Sequence, residues 1–258
     1  MAKPIVTLTT DFGLQDHFVG VMKGVILSLC AEARIVDISH EIAPFEISQG
    51  AFLVAQAWRH FPLGSIHVAV VDPGVGSARR PILVEAGGHC FVGPDNGILA
   101  MVYSSITHQA RLIEHGELPS TTFHGRDIFA PVAARLAQGI PVEEFGPIID
   151  NHLKPVWDKP QRNSKRSWTG IVLHVDRFGN MITNFRIDEF PEVMQRPFDF
   201  AIGTRRLGQL AHNYAEMAFG EPFLILGSSG YMEIAANQSS AAKLLGCGSG
   251  SPCELQLL

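Results

Sequence analysis

Val70-Val71-Asp72-Pro73-Gly74-Val75-Gly76-Ser77-Ala78-Arg79-Arg80 is the stretch on which the reading of this chain turns. An apolar run that starts at Ile66 stops abruptly at an acid, and a proline, two glycines and two arginines follow. A short apolar run bounded by turn residues reads as a buried strand that empties into a tight turn. Glycine in such a turn lets backbone approach a ligand. Asp72 and the arginines bring both signs of charge to the strand's end. In a parallel α/β sheet that end is where ligands bind. Taken alone, the stretch is equally a loop with a solvated salt bridge, so the surrounding sequence has to decide.

Outward from this strand the first half alternates. Pro4 to Thr9 and Ile35 to Ile38 are strand-like, and Phe18 to Cys30 and Ile47 to Arg59 have helical length. Ile82 to Glu85 and Cys90 to Gly93 read as short strands around a Gly87-Gly88 turn, and Asp127 to Ala137 as a helix capped by Asp127. This β-α-β-α-β rhythm predicts a mostly parallel α/β sheet domain over residues 1–150. Residues 151–167 are rich in lysine, arginine and proline and poor in apolar residues, which predicts a solvated linker. Beyond it, Thr169 to Val175, Phe198 to Gly203, Phe223 to Leu226 and Tyr231 to Ala235 are short and rich in branched or aromatic residues. Residues 168–258 therefore read as a small β-barrel domain with one helix near Ser239 to Leu245.

The 258 residues suffice for one large domain or two modest ones. A formal charge of -5 argues against a nucleic-acid partner held by its phosphates. No apolar run reaches the length that spans a bilayer, and Met1-Ala2-Lys3-Pro4 enters a strand-like run at once, so a cytoplasmic protein without membrane contact is expected. Four cysteines, at 30, 90, 247 and 253, form no Cys-x-x-Cys pair, and no His-Glu-x-x-His occurs. Reduced thiols, no metal site and no cofactor are expected.

Other short motifs carry chemistry. Thr9-Thr10-Asp11-Phe12-Gly13 closes the first strand, where a carboxylate can grip both hydroxyls of a ribose; the plainer reading is a helix cap. Asp16 can meet a ligand ammonium group or simply face a helix dipole. His124, in Phe123-His124-Gly125-Arg126-Asp127, sits before a helix whose positive end keeps an imidazole neutral, although a lone histidine is usually an ordinary loop residue. Asp176-Arg177-Phe178-Gly179-Asn180 is a turn by chemistry that also offers an acid and an amide. Gly227-Ser228-Ser229-Gly230-Tyr231 combines two hydroxyls with an aromatic ring. Gly246-Cys247-Gly248-Ser249-Gly250 lacks the Gly-Lys-Ser/Thr ending of a phosphate loop.

Together these motifs resemble the S-adenosylmethionine hydroxide adenosyltransferases, relatives of the fluorinase and chlorinase that attack the same substrate with halide. The resemblance spans nearly the whole chain. It rests on residues 9–13, 71–76 with Arg79-Arg80, Phe-Val-Gly-Pro-Asp-Asn-Gly at 91–97, 123–127, 176–180, and Ser-Ser-Gly-Tyr-Met-Glu-Ile-Ala at 228–235. It implies an N-terminal α/β domain, a C-terminal β-barrel and a homotrimer with sites shared between neighbouring subunits. It also implies an Asp, Arg and His trio around an attacking water, which by motif position are Asp72, Arg79 and His124. The halogenases differ at the Asp and His positions and carry a hydroxyl residue where this chain has Gly125.

By the same resemblance Asp11 holds the ribose and Phe45 covers the sugar. Asp16, Asp176 and Ser228 meet the methionine end; Tyr231, in the motif with Ser228, also binds the substrate, and Asn180 reads the adenine. The implied reaction is hydrolysis of S-adenosylmethionine to adenosine and methionine. The alternatives are a halide-using adenosyl transferase, disfavoured by the charge of Asp72, and a sensor that binds the substrate without turnover.

Overall fold

The computed structural model describes residues 3–104, 106–116 and 119–258. Met1 and Ala2, read above as leading straight into the first strand, lie outside the described residues. The chain divides into two compact units, Met1–Val156 and Trp157–Leu258.

The first unit holds strands β1 (Ile5–Thr10), β2 (Arg34–Ser39), β3 (Ile66–Val70), β4 (Pro81–Ala86), β5 (His89–Pro94), β6 (His108–Leu112) and β7 (Ile148–Ile149). They form one sheet in the order β2-β1-β3-β5-β4-β6-β7. The β2-β1-β3-β5 half is parallel. The β5-β4-β6-β7 half is antiparallel. The sheet is therefore mixed rather than mostly parallel. The cause is local: Gly87 and Gly88 both take positive φ, 59° and 80°. Two such residues make the tight turn that returns β4 as a hairpin.

Helices α1 (Phe18–Leu29), α2 (Ile47–Ala57), α3 (Ala100–Tyr103) and α4 (Ala130–Ala137) cover this sheet. Strand residues alternate between its faces. Val68 and Val70 pack with Met22 and Ile26 of α1 and Ala130 and Ala133 of α4. Ala69 and Val71 pack on the other side with Val54 of α2 and Val102 of α3. Every residue of β3 is buried, which is why its sequence is continuously apolar. The expected cap at Asp127 is not one. A π-helical turn, Gly125–Phe129, starts after His124 and runs into α4. The Asp127 carboxylate instead accepts the Ser120 N–H at 2.9 Å and pairs with Arg126.

The second unit contains β8 (Gln161–Arg162), β9 (Ser167–Val175), β10 (Met181–Arg186), β11 (Phe198–Ile202), β12 (Arg205–Leu207), β13 (Leu210–Ala211), β14 (Pro222–Leu226), β15 (Tyr231–Ala236), β16 (Pro252–Leu257) and helix α5 (Ala241–Leu245). The sheet runs β12-β11-β16-β9-β10-β15-β14-β13, with β8 added on β9. It curls around an apolar core that includes Phe185, Phe200, Met232, Ile234 and Leu255. β12 comes near β14, but no ladder joins them among the described residues. The expected barrel is thus a curled, open sheet, because its end strands β12 and β13 are too short to pair across the gap.

The 151–167 stretch is tied at both ends. Asn151 accepts from Arg80, the Leu153 N–H donates to Asp95 at 2.8 Å, and β8 pairs with β9. Among the described residues, no helix is long and apolar enough to cross a membrane.

Candidate functional site

β1 and β3 are parallel neighbours in register, Thr10 opposite Val70. Asp11 follows Thr10 directly and Asp72 follows Val70 by two residues, so both acids emerge at the carboxyl edge of the sheet. That edge is where open α/β sheets bind ligands. The Asp72 charge reaches the Asp11 carboxyl. Burial pushes the Asp11 carboxyl above its ordinary range, the Phe45 N–H opposes this, and the Asp72 charge adds to the rise.

The turn after β3 folds back on itself. The Val75 N–H reaches the Asp72 carbonyl, and the Ser77 hydroxyl donates to the Gly74 carbonyl at 2.6 Å and accepts the Arg79 N–H at 3.2 Å. Gly76, at φ 75°, lies against the Thr121 backbone, where a β-carbon would collide. This close approach brings the 72–79 turn against the segment that carries His124.

Arg79, Asp72 and His124 converge there. Arg79 Nε donates to Asp72 Oδ1 at 3.1 Å, and Nη2 donates to Asp72 Oδ2. Nη2 also lies 2.8 Å from His124 Nδ1. The two paired side chains are only 7% and 5% exposed, so this is a desolvated ion pair rather than a surface one. His124 is buried as well, 8% exposed. A guanidinium carries donors only. Nδ1 must therefore accept, which places the ring proton on Nε2. Burial first, and then the Arg79 charge, hold the imidazole below its ordinary pKa and so neutral. Phe129 closes one side, with the guanidinium carbon 5.5 Å from its ring centre. Arg79 Nη1 is buried and has no partner among the described residues. A cation with a spare N–H, beside a carboxylate with spare lone pairs, suits a small molecule that both donates and accepts, and favours its anion.

Phe45 adjoins this edge. Its N–H donates to Asp11 Oδ2 at 3.0 Å. Its backbone sits at φ 72°, a strained value for a bulky residue, and its side chain is 69% exposed. Asp16 is exposed in the segment before α1, and no contact joins it to the trio.

In the second unit Asp176 and Asn180 belong to one turn. Asp176 Oδ1 accepts the N–H groups of Phe178 and Asn180, and Oδ2 accepts the Asn180 amide at 2.9 Å. Asn180 lines a cleft of about 610 Å³ with Phe178, Tyr214, Asn237, Gln238 and Ser239. Phe178 is 78% exposed. Ser228 is exposed in the turn between β14 and β15. Tyr231 is buried, with the Arg186 guanidinium carbon 5.4 Å from its ring centre.

Two residues that line the cleft beside Asn180, and one buried acid, were given no role in the sequence reading. Tyr214 and Gln238 lie in stretches without a motif. Glu233 was quoted within a motif but given no role; its signal is an acid in the middle of an otherwise buried strand.

Residues 6–146 match the family model of the SAM hydroxide adenosyltransferase N-terminal domain, and residues 170–254 match that of the C-terminal domain. An (R)-S-adenosyl-L-methionine hydrolase from Methanocaldococcus jannaschii is 37% identical, over 93% of this chain and 91% of its own. One from Salinispora tropica is 36% identical over 94% of both chains. The crystal structure of an uncharacterized conserved protein from Thermotoga maritima superposes with a TM-score of 0.87 at 34% identity, covering 98% of this chain and 99% of that one. With both domains matched in order along most of its length, the chain belongs to the S-adenosylmethionine hydroxide adenosyltransferase family.

Proposed function

We propose that the protein hydrolyses S-adenosyl-L-methionine to adenosine and L-methionine by in-line attack of water at C5′. The observation that carries this reading is the buried Asp72–Arg79–His124 cluster, with its spare Arg79 N–H, at the carboxyl edge of the sheet. The relatives named for this hydrolysis support it.

The substrate is a sulfonium, so methionine leaves as a neutral thioether that keeps the electron pair of the broken C5′–S bond. No general acid and no Lewis acid is needed for departure. The barrier lies in the nucleophile, and holding it in line is worth up to roughly 7–11 kcal/mol in ideal cases. Water accepts from Arg79 Nη1 and donates to Asp72. His124 holds its proton on Nε2 and gives its lone pair to Arg79, which leaves Asp72 as the member of the trio with lone pairs to take the water proton. The new C5′–O bond forms as that proton passes to Asp72 and on to solvent. The Arg79 charge stabilises the developing hydroxide.

Asp11 holds the ribose and Phe45 covers it. Asp176, Ser228 and Asp16 meet the methionine end, and the cleft beside Asn180 and Phe178 receives the adenine. Each site combines a first unit from one subunit with a second unit from its neighbour in a homotrimer. Its curled second sheet acts as a barrel-like wall. The sulfonium zwitterion cannot pass unaided through a bilayer, which puts the enzyme with its substrate in the cytoplasm.

The test is incubation with S-adenosylmethionine in oxygen-18 water and chromatography of the products. Label in the 5′-hydroxyl of adenosine is expected, with or without a chelator. Label in methionine, or abolition of turnover by the chelator, overturns the mechanism.

A further inference from the structure

Glu233 has no role in the reading above, yet it is the least ordinary side chain of the second unit. Met232, Ile234 and Ala236 of β15 enter the apolar core, which turns Glu233 to the opposite face of the strand. It pairs with Ile182 on one side and Ile225 on the other. Only 9% of it is exposed. Its carboxyl lies against the bare α-carbon of Gly227, at the turn that bears Ser228, and a β-carbon there would overlap it. The Ser229 hydroxyl is buried beside it.

No cation answers this acid. None of the ion pairs among the described residues includes Glu233 or Asp176. The Asp176 charge nevertheless reaches Glu233. Burial pushes Glu233 above the usual carboxylate range, and the Asp176 charge pushes it further. Tyr214, whose phenol is raised by burial and then by both acids, completes the group. A buried acid that feels the charge of a second acid, with no cation paired to it, is held at a cost, and an apolar residue at 233 would serve packing better. The arrangement makes sense if the cation arrives with the ligand. A primary ammonium brings one charge and three N–H donors in a compact head. Two carboxyls and a hydroxyl match it.

We propose that Glu233, together with Asp176, seats the α-ammonium of the substrate's amino-acid tail, and so selects substrates that carry a free amine. This rests on the reading that the substrate is S-adenosylmethionine. Glu233 is a positioning residue: it is remote from C5′ in chemical role and fixes the tail against which C5′ is presented.

The experiment compares two ligands that differ at this end. Affinities for S-adenosylmethionine and adenosine are measured by calorimetry for the wild type, Glu233→Gln and Glu233→Met, alongside kcat and KM. The variants should weaken S-adenosylmethionine at least tenfold, leave adenosine affinity within about twofold, and raise KM more than they lower kcat. Retained adenosine binding shows that the fold stands. Glu233→Met keeps the test open if Glu233→Gln fails to fold, since replacing a buried charge by an apolar residue of similar size is well tolerated. The wild type should also bind the α-keto analogue of S-adenosylmethionine, which lacks the amine, at least tenfold more weakly than the substrate. An unchanged S-adenosylmethionine-to-adenosine affinity ratio in a folded variant overturns the proposal, as does equal binding of the α-keto analogue by the wild type. Failure of the wild type to release adenosine instead overturns the hydrolase reading itself, so the two failures are distinct.

Discussion

Arg79 donates to His124, not the reverse: Nη2 lies 2.8 Å from Nδ1, and a guanidinium has no lone pair to give. The same group grips both oxygens of Asp72. The histidine therefore orients the arginine, and the three side chains form one hydrogen-bonded unit.

Asp72→Ala, Arg79→Ala and His124→Ala should each lower turnover by more than about tenfold, loss of an acid–base group typically costing about 10²–10⁴-fold. Arg79→Lys should not rescue, because an ammonium cannot reproduce a planar fork that grips Asp72 and His124 and still has the Nη1 donors to spare. Steady-state kinetics on the four variants checks this, and near-normal turnover in any trio variant would refute the joint role.

The Asp72–Arg79 pair also bears on stability. Asp72→Ala leaves a buried guanidinium without its counter-charge and should cost about 3–5 kcal/mol in urea unfolding. The double substitution Asp72→Ala/Arg79→Met should recover part of that loss. A double variant no more stable than Asp72→Ala would mean that the pair is not desolvated as described.

Asp11→Ala should act on binding. KM for S-adenosylmethionine should rise at least tenfold while kcat falls less, the converse of the trio pattern. A loss confined to kcat would remove Asp11 from the ribose.

Halide should not replace water. Asp72 repels an incoming anion, by roughly 4 kcal/mol at about 4 Å and an effective dielectric near 20. Gly125→Ser should not restore halide use, because a β-carbon at Gly125 meets Met22 Sδ at 3.0 Å and has no room to aim a hydroxyl. Chromatography for 5′-chloro-5′-deoxyadenosine at moderate chloride checks both, and its appearance as the main product would return the chain to the halogenase branch.

A buried histidine pair sets the acid limit of the fold. His67 Nδ1 meets the Thr7 hydroxyl at 2.8 Å and Nε2 meets His89 Nδ1 at 3.2 Å. Burial, with help from His89, lowers the His67 pKa to about 3, and burial lowers that of His89 too. An unfolded chain takes up a proton here below pH 6.5 and the folded chain does not, so stability falls as pH drops from 6.5 towards 3. His67 alone should cost about 2 kcal/mol between pH 6.5 and 5. Urea unfolding at several pH values should show this slope, and His67→Gln should flatten it.

The residues proposed to act on the water and to read the adenine lie in different units, which gives the proposed shared-site assembly a sharp test. Inactive His124→Ala and Asn180→Ala proteins, mixed under conditions that exchange subunits, should regain activity at interfaces free of both changes. Light scattering should show a trimer. No recovery despite proven exchange would confine each site to one chain.

The parallel half of the first sheet was legible because β3 is buried on both faces and so reads as an unbroken apolar run. Asp11 and Asp72 were legible because each stops such a run. β6 was not: in His108–Leu112 only Ala110 and Leu112 are apolar, and Arg111 is buried by pairing rather than by apolarity. β10 was missed because Thr183 and Asn184 look like turn residues, yet both are buried and bonded, Thr183 to the Met232 carbonyl and Asn184 to the Ile171 N–H. The π-helical turn at 125–129 leaves no mark in residue type, and Glu233 could be valued only once its neighbours were known.

Phe45 is held in its strained backbone by a hydrogen bond to a carboxylate that is itself raised by burial. When Asp11 takes up a proton, that oxygen weakens as an acceptor for the Phe45 N–H and for a sugar hydroxyl at the same moment. On the proposed reading, grip and cover are thus one titration: a single proton on Asp11 loosens its hold on the Phe45 backbone and on the ribose together.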